Sequence, residues 1–166
     1  GIYIPTLCAH PAVKPIGACR VCLVEVEKQR TLQPSCSFPV SEGMVVHTDT
    51  PSVRDSRRFM LELILSDHPF DCMTCEAAGD CKLQDLAYEY GIKETRFPGV
   101  QHHYDLDTSN PFIVRDYDKC ILCRLCVRAC DEINGVSAID VLNRGFDSKI
   151  GAAFDVPLQD SPCEFC

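Results

Sequence analysis

Thirteen of the 166 residues are cysteines, and most of them stand in C-x-x-C groups. Thiolates at this spacing usually share a metal rather than form several separate disulfides. The cysteine count is odd, and the chain opens without the charged and then apolar leader of a secreted protein. We therefore expect metal ligation in a reducing, intracellular compartment, the cytoplasm, and a disulfide scaffold is the weakest alternative.

The first set of cysteines is spaced C-x10-C-x2-C-x13-C and comprises Cys8, Cys19, Cys22 and Cys36. A [2Fe–2S] cluster takes four thiolates, and plant-type ferredoxins space them C-x4-C-x2-C with a distant fourth. The central C-x2-C and the remote fourth cysteine fit, although the first gap is longer. Gly17 and Ala18 are small enough to let backbone N–H groups approach the cluster sulfurs, which tunes a reduction potential. The spacing favours an iron–sulfur cluster over the alternative, a four-cysteine zinc ribbon.

The second set combines one imidazole with three thiols in a short segment: His68, Cys72, Cys75 and Cys81. Zinc binds such a set tetrahedrally, and the alternative is a [4Fe–4S] cubane with an imidazole on one iron. A histidine at a helix end is by itself more often a solvated cap, so only the three neighbouring cysteines make His68 a candidate ligand. The remaining histidines lack such a setting and are expected to be structural: His10, His47, His102 and His103.

The third set is the tight run C-x2-C-x2-C-x3-C, formed by Cys120, Cys123, Cys126 and Cys130. This is the bacterial ferredoxin pattern for a [4Fe–4S] cluster, and in two-cluster ferredoxins the fourth cysteine ligates the other cluster. Asp131 stands where a proline usually follows the run. A fourth set, Cys163 and Cys166, closes the sequence. Its C-x2-C spacing alone fits a redox pair, half of a zinc site or part of a longer cluster motif.

The elements that position these ligands are expected to be short. The segment from Val24 to Glu27 alternates apolar and polar residues, which predicts a half-buried strand, and 44–48 is a second candidate strand. Thr50 is a suitable N-cap and Pro51 a suitable first residue for an amphipathic helix that ends near Asp67.

Further along, the sequence predicts a second short helix over about 79–90, stopped by a glycine, and an irregular linker over 92–111. A short helix should follow the third cysteine set as far as Asn134. The final segment should form a small β-element with a turn at Arg144 and Gly145.

The charge balance argues against nucleic-acid binding. The formal net charge is −8, with 24 acidic and 16 basic residues, and nothing in it favours nucleic acid, whose binders carry a basic stripe.

The most apolar run, 59–65, is interrupted by Glu62 and is too short for a bilayer span. We expect no direct membrane insertion, although the chain can lie on a membrane complex through a partner. The sequence contains no recognisable nucleophile–base pair, phosphate-binding glycine loop or pterin site. Nothing in it therefore predicts a catalytic centre.

Taken in order, the four sets resemble the N-terminal electron-relay region shared by three families. These are the large iron–sulfur subunit of NADH:quinone oxidoreductase (complex I), the catalytic subunit of cytoplasmic molybdopterin or tungstopterin formate dehydrogenases, and the iron-only hydrogenases. The resemblance covers essentially the whole chain. It rests on "GIYIPTLCAHP", "GACRVCLVEVE", "LSDHPFDCMTCEAAGDCKLQDLA", "NPFIVRDYDKCILCRLCVRACDEINGV" and "NRGFD".

The resemblance implies an α+β fold of three domains: a β-grasp [2Fe–2S] domain over 1–49, a small helical [4Fe–4S] domain over 50–111, and a ferredoxin-like domain with up to two [4Fe–4S] clusters over 112–166. It makes the first set the ligands of the [2Fe–2S] cluster and His68 a true ligand beside the three cysteines of the second set. Family β-grasp domains begin with a strand pair before the first residue present here, so we expect both ends to be truncated.

In the family arrangement Cys120, Cys123 and Cys126 hold one cluster, whose fourth ligand would lie beyond residue 166. Cys130 would join Cys163, Cys166 and a further missing cysteine on the other cluster. Complex I subunits commonly keep one cluster in this section, whereas formate dehydrogenases and hydrogenases keep two. The closing "SPCEFC", together with "GVSAID", therefore favours a formate dehydrogenase alpha subunit as the parent.

The implied function is electron transfer through a chain of clusters, with a complex I subunit or a hydrogenase as the alternative parent. The implied partners are flavin- and NAD-binding electron-transfer subunits of the same complex and a pterin or hydrogenase domain in the rest of the chain. A multi-zinc structural module is the rival from another class. A stand-alone multi-cluster ferredoxin is the other rival, and the incomplete motifs argue against it.

Overall fold

The computed structural model describes residues 1–97 and 99–165, and its architecture is α+β. The N-terminal sheet has three short antiparallel strands: β1 (Leu23–Val26), β2 (Gln33–Pro34) and β3 (Val46–His47). Strand β1 lies in the centre and pairs with both neighbours. The strand predicted at 24–27 is confirmed with a shift of one residue, and the one predicted at 44–48 is shorter than expected.

Helix α1 (Pro51–Leu65) begins where the sequence predicts. The Thr50 hydroxyl accepts a hydrogen bond from the Val53 N–H at 3.3 Å and donates to the Glu25 carboxylate at 2.8 Å. The N-cap therefore also connects the helix to strand β1. The helix ends two residues before the predicted Asp67.

Helix α2 (Lys82–Glu89) begins later than the predicted position 79. The preceding residues form tight turns, in which the Ala78 and Asp80 N–H groups bond to carbonyls three residues back at 3.0 and 3.1 Å. Gly91 follows the helix with a φ of +64°, a left-handed conformation that glycine adopts without a steric penalty. The predicted glycine stop is confirmed.

One hydrophobic core joins the first cysteine set to both helices. Its buried members come from the N-terminal loops, α1, α2 and the segment after α2: Leu7, Val21, Leu61, Leu65, Leu83, Leu86, Ala87 and Ile92. Two buried polar residues of α1, Arg57 and Glu62, complete this packing. Arg57 is buried in α1 and donates to the Leu23 carbonyl from Nε at 3.1 Å and from Nη2 at 2.8 Å. The first two sections therefore pack against each other.

Glu62 is fully buried in the middle of α1. Its two carboxylate oxygens accept from Arg58 Nε at 3.0 Å and from Arg96 Nε at 2.6 Å. The residue that interrupts the apolar run of the sequence is thus held by two half-exposed arginines, one on its own helix and one on the following linker.

The third section begins its cysteine run after a 3₁₀ turn (Tyr117–Lys119). Helix α3 (Leu125–Arg128) continues into a π-helical turn (Ala129–Ile133), which matches the short helix predicted as far as Asn134. Strands β4 (Asp140–Leu142) and β5 (Lys149–Gly151) then pair antiparallel across the predicted turn. Within the described part of the chain, no helix has the length and apolar character needed to cross a bilayer.

Candidate metal centres

The first cysteine set converges on the loop that enters β1. Cys8 and Cys22 are buried, and the Cys19 N–H donates to Cys8 Sγ at 3.4 Å. Burial, followed by the neighbouring Cys22 and Cys8 thiols, raises the pKa of Cys36 to about 11. The structure therefore brings together all four predicted residues of this set, although they lie in three separate segments of the sequence.

The pKa of Cys19 is lowered, in contrast to the raised pKa of Cys36 in the same set. Burial acts to raise the pKa of the Cys19 thiol, but main-chain hydrogen bonds at Val21 and Leu7 and the bond with Cys8 lower that pKa overall. Backbone amides aimed at a sulfur stabilise its thiolate, which is the form that binds metals. This loop has the donor arrangement that tunes iron–sulfur clusters.

Gly17 makes the tight loop possible. Its φ is +64°, and a Cβ at this position would lie 3.2 Å from Ser37 Oγ. The glycine therefore allows both the left-handed turn before Cys19 and the close approach of the segment that carries Cys36. This agrees with the small-residue loop predicted from the sequence.

The second set lines a cavity of about 490 Å³. Its four predicted donors share the cavity wall with apolar side chains of α1, α2 and the segment after α2: His68, Cys72, Cys75, Cys81, Leu65, Leu83 and Ile92. A space of this size, with thiols and an imidazole on its wall and apolar groups behind them, fits a multi-atom cluster better than one ion.

The orientation of His68 fits a ligand role. Its Nδ1 lies 2.9 Å from the Pro69 carbonyl oxygen, and this contact is a hydrogen bond only when the proton is on Nδ1. Nε2 is then the nitrogen with a free lone pair. Burial lowers the pKa of His68, which favours the neutral imidazole that metals bind. A ligating histidine typically donates its other N–H to a carbonyl in this way, and these contacts argue against a solvated cap.

The third set divides into three thiols that influence one another and one with different contacts. Burial and the neighbouring Cys123 thiol raise the pKa of both Cys120 and Cys126. Cys130 Sγ instead accepts a hydrogen bond from the Ala138 N–H at 3.2 Å. In the fourth set, Cys163 Sγ accepts from the Phe165 N–H at 3.4 Å, and Cys166 lies outside the described residues.

The twelve described cysteines are all free thiols. Around one zinc ion, donors lie about 2.0–2.3 Å from a common point. Among residues 1–97 and 99–165, no group of three or more His, Cys, Asp or Glu side chains is arranged to hold a single ion. The cavity and the amide-to-sulfur hydrogen bonds are the observations that fit iron–sulfur clusters.

The sequence predicts only a structural role for His102, and the structure gives it a specific contact beside the second set. Its Nδ1 lies 2.6 Å from Asp67 Oδ2, and its backbone N–H donates to the other oxygen at 2.7 Å. The ring stacks on Phe146 with centroids 3.8 Å apart. His102 thus anchors the residue before His68 to the linker and to the third section. No sequence pattern connects positions so far apart, which is why sequence reasoning missed this contact.

Comparisons with known proteins agree with this arrangement. Residues 1–51 match a family model described as a 2Fe-2S iron–sulfur cluster binding domain, 57–96 match the NADH-ubiquinone oxidoreductase-G iron–sulfur binding region, and 110–162 match the NADH-quinone oxidoreductase subunit 3 ferredoxin-like domain. A crystal structure of an NAD+-reducing [NiFe]-hydrogenase superposes with a TM-score of 0.87 at 36% identity, over 96% of this chain and 67% of that one.

This chain belongs to the family of N-terminal iron–sulfur relay regions found in the large iron–sulfur subunit of complex I and its hydrogenase relatives. It carries [2Fe–2S] and [4Fe–4S] cluster-binding domains, as expected from the resemblance. It is 44% identical to the NADP-reducing hydrogenase subunit HndD of Solidesulfovibrio fructosivorans and 41% identical to an NADH-quinone oxidoreductase subunit of Rhizobium meliloti.

Those two matches include 99% and 100% of this chain but only 29% and 19% of the relatives, so the chain spans less than a third of their length. The relatives support the alternative parents, a complex I subunit or a hydrogenase. They do not support the formate dehydrogenase that the closing motif favours. A C-x2-C pair is too short a feature to separate families that share the whole preceding arrangement.

Proposed function

We propose that this chain is the electron-relay segment of a larger NADH- or NADPH-linked oxidoreductase, of the complex I type or the hydrogenase type. The observation that carries the proposal is the cavity that His68 shares with three cysteines, with the imidazole proton directed to the Pro69 carbonyl. The names of the hydrogenase and NADH-quinone oxidoreductase relatives support this class of parent.

The proposed ligands follow the four sets, and each bound cluster would accept and release one electron at a time. The [2Fe–2S] ligands are Cys8, Cys19, Cys22 and Cys36. The ligands of the mixed [4Fe–4S] site are His68, Cys72, Cys75 and Cys81. The ferredoxin-type ligands are Cys120, Cys123 and Cys126 for one cluster, and Cys130, Cys163 and Cys166 for a second. The domains would span 1–49, 50–111 and 112–166.

The third section contacts both other ligand loops, which supports a relay rather than three independent sites. Arg128 in the cysteine run donates to the Cys8 carbonyl, and Lys119 just before the run pairs with Asp71 beside Cys72. Electron transfer between clusters requires short separations, and these contacts hold the loops together. The proposed partners are flavin- and NAD-binding subunits of the same complex and the catalytic domain of the parent chain.

Anaerobic purification of the chain tests the proposal. We expect a brown protein that bleaches with dithionite, contains iron and acid-labile sulfide, and gives separate EPR signals for the [2Fe–2S] and [4Fe–4S] sites. Cys75→Ser should lose the signal of the His68 site, whose four proposed ligands are all in this chain, and keep the [2Fe–2S] signal. A colourless protein that contains zinc and no sulfide would overturn the proposal and support a multi-zinc module.

A further inference from the structure

Arg128 lies inside the third cysteine set but makes its contacts in another section. It stands two residues after Cys126 and two before Cys130, and it is buried with 6% of its surface exposed. Its guanidinium donates to the main-chain carbonyl of Cys8 through Nη2 and to that of Lys14 through Nη1, the latter at 2.5 Å. A side chain from one ligand run therefore holds the backbone of another.

Two further hydrogen bonds support this contact. Arg128 Nε donates to the Arg124 carbonyl at 3.2 Å, within its own run. The Lys14 N–H donates to Glu132 Oε2 at 2.7 Å, so the same N-terminal loop is held from both sides of its backbone. Together these hydrogen bonds join the loop of residues 8–14 to the turn of residues 124–132.

The Arg128 guanidinium forms no ion pair with a described residue, although the Glu132 carboxylate accepts from the Lys14 N–H in the same interface. All three of its hydrogen bonds go to neutral carbonyl oxygens. None of the ion pairs between described residues includes it. Burying a cation that no carboxylate pairs with directly is costly, because its hydration is lost and less Coulomb attraction replaces it. Thiolate-ligated clusters bound at Cys8 and at Cys126 would supply negative charge on both sides.

We propose that Arg128 is a shared positioning residue of the [2Fe–2S] site and of the neighbouring ferredoxin-type site, which fixes the Cys8 loop against the Cys120–Cys126 loop and places one buried positive charge between the two. Reduction adds an electron to either site, and a nearby cation in a low-dielectric interior stabilises that added charge. Arg128 therefore raises both midpoint potentials. The inference rests on the proposed ligand assignment.

The test compares Arg128→Met, Arg128→Lys and Arg124→Met by EPR-monitored redox titration at low ionic strength. It uses the cluster-loaded protein with the rest of its parent chain, which supplies the fourth ligand of the ferredoxin-type site. Arg124 is a matched control because it lies in the same run with the same charge but is exposed. For Arg128→Met we expect the reduced-to-oxidised ratio of both sites at fixed potential to fall about tenfold, which is about 59 mV for one electron. Arg128→Lys keeps the charge and should shift less, and Arg124→Met should shift least.

The His68 site is the internal reference, and its potential should change less than the other two. Loaded Arg128→Met protein with both potentials unchanged, or shifted no more than in Arg124→Met, would overturn the inference and leave the proposed function intact. Absence of clusters from the unsubstituted protein would instead refute the proposed function. If Arg128→Met does not load, Glu132→Gln provides the answer, because its amide oxygen can still accept from Lys14. Removing that negative charge should raise both potentials, and a fall or no change would overturn the inference.

Discussion

Lys119 Nζ forms an ion pair with the Asp71 carboxylate and thereby joins the residue before Cys120 to the residue before Cys72. The two residues lie 48 positions apart in the sequence. The Asp71 carboxylate raises the pKa of Lys119 through a hydrogen bond, so the lysine is charged at neutral pH. Lys119 also lines the cavity of the second set, where its charge faces the proposed mixed-ligand cluster.

Lys119→Met should lower the midpoint potential of the His68 site. The substitution removes a cation beside a site that becomes more negative on reduction, and the reduced state loses that stabilisation. Lys93 lines the same cavity from an exposed position, so Lys93→Met is the matched control and should have a smaller effect. EPR redox titration measures both. Equal shifts in the two variants would show that the pairing with Asp71 gives Lys119 no special influence.

His68→Cys should keep a cubane in the second site and lower its potential. The neutral imidazole is replaced by a negative thiolate, so each oxidation state carries more negative charge and reduction is harder. His103→Cys is the control, because that imidazole is exposed and pairs with Asp118 outside the cavity. The measurement is the EPR midpoint potential of the signal assigned to this site. An unchanged potential in a loaded His68→Cys protein would argue that the imidazole is not a ligand.

Gly17→Ala should impair loading of the [2Fe–2S] site more than Gly43→Ala does. Both glycines have positive φ, so each substitution has a backbone cost of about 1 kcal/mol. Only at Gly17 does the new Cβ also approach another segment, at 3.2 Å from Ser37 Oγ, whereas Gly43 faces open space. Iron per chain and the [2Fe–2S] EPR intensity measure the difference. Equal loading would mean that the close approach at Ser37 relaxes without affecting the ligands.

The sequence predicted which cysteines lie near one another better than it predicted the contacts that support them, for a physical reason. Cysteine spacing and the cap at Thr50 are local patterns. The structure brings the members of the first set together and, separately, those of the second, and it starts α1 where the cap predicts. The contacts of His102 with Asp67 and of Arg128 with Cys8 join positions 35 and 120 residues apart. Only the packing of the three sections determines such pairs, and no period or spacing in one sequence encodes them.

Glu62 illustrates the same difference, because the sequence presents it as an interruption of an apolar run. In the fold its carboxylate is fully buried, and both its arginine partners, Arg58 and Arg96, are about half exposed. Removing both partners would leave a buried charge without compensation. We expect Arg58→Met/Arg96→Met to lower the free energy of unfolding by about 3 kcal/mol, the lower part of the range for breaking a buried ion pair.

Adding Glu62→Met to that double variant should restore part of the lost stability, because the uncompensated carboxylate is replaced by an apolar side chain of similar length. Denaturant-induced unfolding followed by circular dichroism, with the cluster content of each variant matched, measures the three proteins. Arg54→Met is the control, since its pair with Asp49 is exposed to solvent and should contribute much less to stability. A triple variant less stable than the double one would show that Glu62 stabilises α1 even without its arginines, contrary to the argument from burial.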